Sequence, residues 1–314
     1  MALIAAALRV SPLTAGFGTV GTAYAAAGLR RCGPVDAVVQ MGSSFVVRHP
    51  RVVTFEDMTI RQAVAFDQYE WRELSDPQLE DRLRRQQRIY ADAVAVTLAT
   101  PWAARSVTQE YGIDPAKVEA VGLGRNHDIT PAPRDWGAPR FLFVGFDWDR
   151  KNGASVLEAF AAVRLRHPQA TLDVAGRHPV LRADGVRGHG PLSLSDPAES
   201  AVLDRLFGRA TCLVVPSRFE AAGIVYLEAA AAGLPSIGTT RGGAADLVGR
   251  GGRVVAPDDP AALRETMLRL CDPALAAGLG ELGRRRAREF TWQAVAARLL
   301  ARAGIGAQAH PVSW

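Results

Sequence analysis

Two glutamates eight residues apart, Glu220 and Glu228, fall in the run PSRFEAAGIVYLEAAAAGLP that spans residues 216–235. Glu220 belongs to a loop that follows an apolar strand, and Gly223 opens a helix. Glu228 lies inside that helix among alanines and aliphatic residues, where a carboxylate is costly unless a polar group meets it. A ribose diol would meet it with two charge-assisted hydrogen bonds, and so would a salt bridge. Between the two acids, the amides of Ala222, Gly223 and Ile224 head the helix, the arrangement that binds phosphate. A plain helix cap at Glu220 is the structural alternative.

A second cluster, Gly145-Phe146-Asp147-Trp148-Asp149-Arg150-Lys151-Asn152-Gly153, stands between a strand and a helix. Cations oppose the positive end of a helix dipole, so Arg150 and Lys151 make sense there if they share an anion. Only two of the 37 basic residues are lysines, Lys117 and Lys151. A third cluster, Gly16, Gly18 and Gly21, matches G-x-G-x-x-G, which lets backbone approach a diphosphate. Dinucleotide binding would also need an acid near the end of the second strand. Asp36 only begins that strand, and Gln40 lies near its end. A phosphate- or sugar-cradling loop and a ligand-free turn both fit the glycines.

With those residues in view, RFLFVGFDWDRKNGASVLEAF, LDVAG and VVPSRFEAAGIVYLEAAAAGLPSIGTTRGGAADLV resemble the retaining glycosyltransferases of family four. The likeness is strong from Arg140 to about Leu270 and looser over EYGIDPAKVEAVGLGRNHD and the Gly16–Thr19 loop. It implies a GT-B fold, two Rossmann-like parallel-sheet domains facing a central cleft. It also implies a nucleoside-diphosphate-sugar donor, transfer with retention to an acceptor hydroxyl, and no catalytic metal or other cofactor. Carried onto this sequence, Glu228 holds the donor ribose and Glu220 approaches the transferred sugar. Lys151 with Arg150 neutralises the leaving diphosphate. Gly16 and Gly18 approach the donor phosphate, and Gly176, Arg177 and His178 stand where the base is contacted. Three departures are visible. Phe146 occupies the place of a frequent arginine, Ala221-Ala222 replaces Pro-Phe, and no histidine ends the strand at Thr54-Phe55-Glu56-Asp57. Glu56 and Asp57 are therefore the acceptor-side candidates. A catalytically weak nucleotide-sugar-binding subunit, favoured by these departures and a short first domain, is the alternative function. An NAD(P)-dependent oxidoreductase, for which only the three glycines speak, is a lesser one.

The elements that must position these residues alternate strand and helix, which predicts an α/β protein with parallel sheets. Strands are expected at residues 2–10, 36–41, 52–55, 93–98 and 117–121, with helices between them. After three prolines within residues 128–139, strands are expected at 140–144, 171–175, 212–215, 236–238 and 253–255. The division reads as a first domain over residues 1–133, a second over 139–290, and a helix over 291–304 crossing back onto the first.

Composition narrows the class. The 314 residues are 48% hydrophobic and 22% charged, which excludes disorder. Lys+Arg and Asp+Glu balance at 15 each over residues 1–137, so the whole net charge of +5 falls in residues 138–314. The short basic runs DRLRRQQR and GRRRAR carry no interleaved aromatics and read as solvated helix faces, not nucleic-acid sites. A phosphorylated small molecule accounts for the excess as well. Residues 2–8 form an apolar stretch too short for a membrane span. Cys32, Cys212 and Cys271 show no metal or disulfide spacing. The expectation is a cytoplasmic enzyme, at most peripheral to the inner membrane face, with a glycan, lipid-linked or small-molecule acceptor.

Overall fold

Proline preceded by aspartate or threonine recurs where helices begin. Asp196, Asp259 and Asp272 each precede a proline and accept a hydrogen bond from helix amides two or three residues on, as Thr100 does before Pro101. Proline at the first helical position gives up an amide that would have no partner there. The computed structural model describes residues 17–66, 71, 73–127, 129, 133–306 and 309–314. The chain divides into two compact units, residues 1–122 with 293–312, and residues 123–292 with 313–314. The expected strand over residues 2–10 lies outside the described residues.

In the first unit, helix α1 (Phe17–Cys32) precedes strands β1 (Val38–Met41) and β2 (Val52–Glu56). Helices α2 (Ile60–Ala65) and α3 (Asp76–Asp92), strand β3 (Ala95–Leu98), helix α4 (Pro101–Gln109) and strand β4 (Val118–Ala120) follow. The four strands pair in parallel in the order β1-β2-β3-β4. Their core is built on Tyr90, Val96, Leu98 and Val107.

The second unit runs β5 (Arg140–Val144), α5 (Gly153–Arg166), β6 (Thr171–Ala175), β7 (Val186–Gly190), α6 (Pro197–Arg209), β8 (Cys212–Val214) and α7 (Ile224–Ala231). It continues through β9 (Ser236–Thr239), α8 (Ala244–Val248), β10 (Gly252–Val255), α9 (Pro260–Arg269) and α10 (Pro273–Arg286). Its six strands are all parallel, in the order β10-β9-β8-β5-β6-β7. Strand succession therefore reverses between β5 and β8, and ligands of open parallel sheets bind beyond the carboxyl ends at such a switch point. Helix α11 (Trp292–Arg302) follows, and its residues from Gln293 onward pack in the first unit, where buried Arg298 donates to the Val121 carbonyl at 3.0 Å.

The structure differs from the sequence reading in places. The division falls at Gly122, not near residue 133, because the proline-rich stretch is tied to the second unit. Arg134 there donates to the carbonyls of Phe207, Ala232 and Gly233. Burial lowers its pKa to about 10. The basic runs are not wholly solvated: Arg82 and Arg286 are largely covered, and Arg286 lies over Phe290 and Trp314 while donating to the Asp246 and Leu247 carbonyls. Among the described residues, no helix is long and apolar enough to cross a membrane.

Candidate functional site

The loops after β5 and β8, the two strands at the switch point, bring the predicted charges together. In the first loop, Lys151 and Asn152 close tight turns, their amides donating to Asp147 and Asp149. Asn152 then caps α5 in the left-handed conformation, φ 62°. Its buried amide donates to the Pro216 and Pro257 carbonyls at 3.3 and 2.9 Å, clamping this loop to those after β8 and β10. A Cβ at Gly153 would meet the Trp148 ring at 2.4 Å, so only glycine lets the indole pack there.

Lys151 Nζ donates to Glu220 Oε2, and both side chains are about 10% exposed. Arg150 lies 3.6 Å from the same oxygen, donates to the Phe219 carbonyl, and stacks on the Phe219 ring. Ser217 Oγ donates to that oxygen too, at 3.2 Å. Burial pulls the Lys151 pKa down, opposed by the Glu220 charge. Glu220 is fixed through its backbone: its amide donates to Arg241 and its carbonyl accepts from Gly243. Gly223, at φ +87°, caps α7 beside it, where a Cβ would strike the Tyr226 ring and Glu220 Cγ. Ala222 is buried and Ile224 starts the helix.

Glu228 does not join the Lys151 cluster. Its buried carboxylate accepts from the backbone amides of Asn126 and His127, and burial outweighs those bonds to lift its pKa to about 7. That segment is pinned by Arg125 on the Ala287 and Phe290 carbonyls and by His127 on Asp204 at 3.0 Å. Gly176, φ +115°, sits so close to β5 that a Cβ would fall 1.8 Å from the Gly145 carbonyl oxygen. Next to it, the Arg177 guanidinium lies 4.0 Å over the exposed Phe146 ring. His178 Nε2 accepts from the Gly190 amide, so its proton is on Nδ1, which donates to Pro179. That ring is engaged in holding the chain's own backbone.

Other predicted residues belong to the first unit. Gly16 lies outside the described residues. Gly18 and Gly21 are in α1, and a Cβ would collide with the Arg85 guanidinium at the first and Phe45 at the second. Gln40 is buried and donates to the Gly42 and Phe45 carbonyls, so it shapes a turn. Glu56, at the end of β2, accepts from Tyr90 and from Gln86 at 3.0 Å. Burial raises its pKa to about 7. Asp57 follows it directly. Lys117 merely donates to the Ala91 carbonyl at the surface. Among the described residues, no three His, Cys, Asp or Glu side chains group to hold a metal.

Sequence reasoning missed Ser217, the Asn152 clamp and the amides of residues 126 and 127. The positive φ of Asn152 has a sequence signal, since asparagine tolerates that region best after glycine. Ser217 stands only three residues from Glu220, whereas residues 126 and 127 reach Glu228 from far along the chain.

Comparison with known proteins adds to this geometry. Residues 138–272 match the family described as glycosyl transferases group 1. That stretch is similar to the group 1 glycosyl transferases. It holds Arg150, Lys151, Glu220 and Glu228. The chain is 34% identical over 211 residues to a glycogen synthase of Mycobacterium tuberculosis, a match covering 60% of this chain and 49% of that protein. It is 27% identical over 264 residues to a D-inositol 3-phosphate glycosyltransferase of a Nocardioides species, covering 71% and 56%. The chain thus spans about half the length of the curated relatives it matches. Among solved structures it resembles WaaG, a glycosyltransferase involved in lipopolysaccharide biosynthesis, with a TM-score of 0.63 at 20% identity over 87% of this chain and 80% of that one. The fold is α/β of the GT-B type.

Proposed function

We propose that this protein is a retaining glycosyltransferase that moves a sugar from a nucleoside diphosphate to an acceptor hydroxyl without a metal. The observation that carries the reading is the convergence of Arg150, Lys151 and Glu220 at the β5/β8 switch point, inside the group 1 match. As the donor's glycosidic bond breaks, negative charge builds on the departing diphosphate. Lys151 and Arg150 would stabilise it from preorganised positions, with the amides of Gly223 and Ile224 at the head of α7. Both cations lie against Glu220, so a diphosphate would compete with that carboxylate for them. Glu220 is then freed to face the positively charged sugar. Glu228 would take the ribose diol, and the buried site around it favours the bond once its carboxylate is ionised. Gly176, Arg177 and Phe146 line the neighbouring strand ends and would meet the base. Glu56 and Asp57, on the first unit, would meet the acceptor.

The test is to incubate the protein with UDP-, GDP- and ADP-sugars and follow nucleoside diphosphate release together with the anomeric configuration of the product by NMR. The expected product keeps the donor's configuration. Lys151→Ala is expected to lower turnover more than donor affinity. Release with inversion, or identical kinetics for wild type and Lys151→Ala, would remove this assignment.

A further inference from the structure

The second unit holds another concave region, an open cavity of about 910 Å³ lined by five arginines, His189 and two aspartates. It is built from the amino end of β5, which supplies Arg140, from Arg187 and His189 on β7, and from the last turns of α6 with Arg205 and Arg209. Lys151, Glu220 and Gly223 lie instead in loops at the carboxyl ends of β5 and β8, so this cavity does not share their chemistry.

Part of its charge is already used. Arg209 and His189 both meet the buried carboxylate of Asp173, at 2.6 and 2.7 Å. Arg140 lies 3.5 Å from Asp135, a loose exposed pair, and Asp204 faces His127. Arg187 and Arg205 meet no acid among the described residues. Cations gathered around one concavity repel each other unless an anion is shared among them. The choice of arginine also matters, because its planar fork matches the oxygens of phosphate. The α6 carboxyl terminus accounts for a cation at Arg209, through the helix dipole, but not for Arg187 on a strand. The volume lies within the range of small-molecule sites, about 300–1,000 Å³.

We propose that this cavity is a second anion site, which binds a sugar-sized phosphate monoester through Arg187, Arg205 and Arg140. Glucose 1-phosphate is the probe, with inorganic phosphate as the arm that separates recognition of the sugar from recognition of the phosphate alone. Binding is measured by isothermal titration calorimetry at fixed ionic strength. The proteins are wild type, Arg187→Ala/Arg205→Ala and Arg187→Lys/Arg205→Lys. Both positions are exposed, so each variant keeps the fold, which its unchanged Tm verifies. The expected result is saturable binding that the double alanine variant weakens at least 10-fold and the double lysine variant weakens less. Binding is expected to persist with UDP, GDP and ADP present in excess. Tighter binding of glucose 1-phosphate than of phosphate supports the sugar-sized site; equal binding overturns that part of the assignment. No saturable heat, equal affinity in the double alanine variant, or displacement by the nucleoside diphosphates would each overturn the proposal. The test reads no sugar transfer, so its outcome stands apart from the function proposed above.

Discussion

Lys151→Met removes the cation that Glu220 faces where both side chains are about 10% exposed. Truncating one partner of a buried ion pair costs about 3–5 kcal/mol, because the other charge is left uncompensated. Arg150 at 3.6 Å and Ser217 at 3.2 Å stay beside Glu220, which places the cost near the lower end, about 3 kcal/mol. Glu220→Gln is expected to cost less, about 2 kcal/mol, because Lys151 can escape by giving up its proton, the direction in which burial already pulls it. In Lys151→Met/Glu220→Gln neither charge is stranded, so the double variant is expected to lose no more than Lys151→Met alone. That implies a coupling energy of about 2 kcal/mol between contacting residues. Differential scanning calorimetry of wild type and the three variants reads this directly. At about 2–4 °C per kcal/mol for a unit of this size, Lys151→Met should lower Tm by about 6–12 °C. Strictly additive losses would refute the argument, since they would mean that the two side chains do not sense each other.

Gly176→Ala combines a left-handed φ with a Cβ 1.8 Å from the Gly145 carbonyl oxygen, and is expected to destabilise by about 3 kcal/mol in urea unfolding. A loss below about 1 kcal/mol would mean that the strand ends relax easily. Asn152→Gly keeps the backbone geometry but deletes the clamp on Pro216 and Pro257, and should cost about 2 kcal/mol for two hydrogen bonds. Glu56 and Glu228 both titrate near pH 7 in the folded chain against 4.5 otherwise. The native state therefore binds more protons in that window, so the stability they confer is full below about pH 4.5 and is lost as pH rises through 7. Urea midpoints measured from pH 4.5 to 8 should fall, and Glu56→Gln and Glu228→Gln should each flatten the curve; an unchanged slope counts against their burial.

Much of the second unit was legible because strands such as β5, β6 and β8 are largely apolar runs and three of its helices begin at Asp-Pro steps. Strand 171–175 and helix 260–269 match the structure residue for residue. Strand β7 was not legible, since VRGHG is half glycine and charge and lies at the sheet edge, where exposure removes the hydrophobic signal. Helices α2 and α8, of six and five residues, are too short to show a period. The Lys151 and Glu220 cluster was readable from residue type and loop position. The bonds from residues 126 and 127 to Glu228 were not, because backbone amides leave no mark in side-chain sequence. Gly18 and Gly21 also have a packing reason to be glycine, since Arg85 and Phe45 fill the space a side chain would need.

The most direct measurement of the central claim is equilibrium binding of UDP, GDP, ADP and NAD(P) to wild type and to Glu228→Ala across pH 5.5–8.5. The account predicts that one nucleoside diphosphate binds and stabilises the chain, by about 2.7 kcal/mol at 100 times its dissociation constant. Its affinity should rise through pH 7 as Glu228 ionises and fall at least 10-fold in Glu228→Ala. Binding of NAD(P) alone, or nucleoside diphosphate affinity untouched by Glu228→Ala, would contradict it.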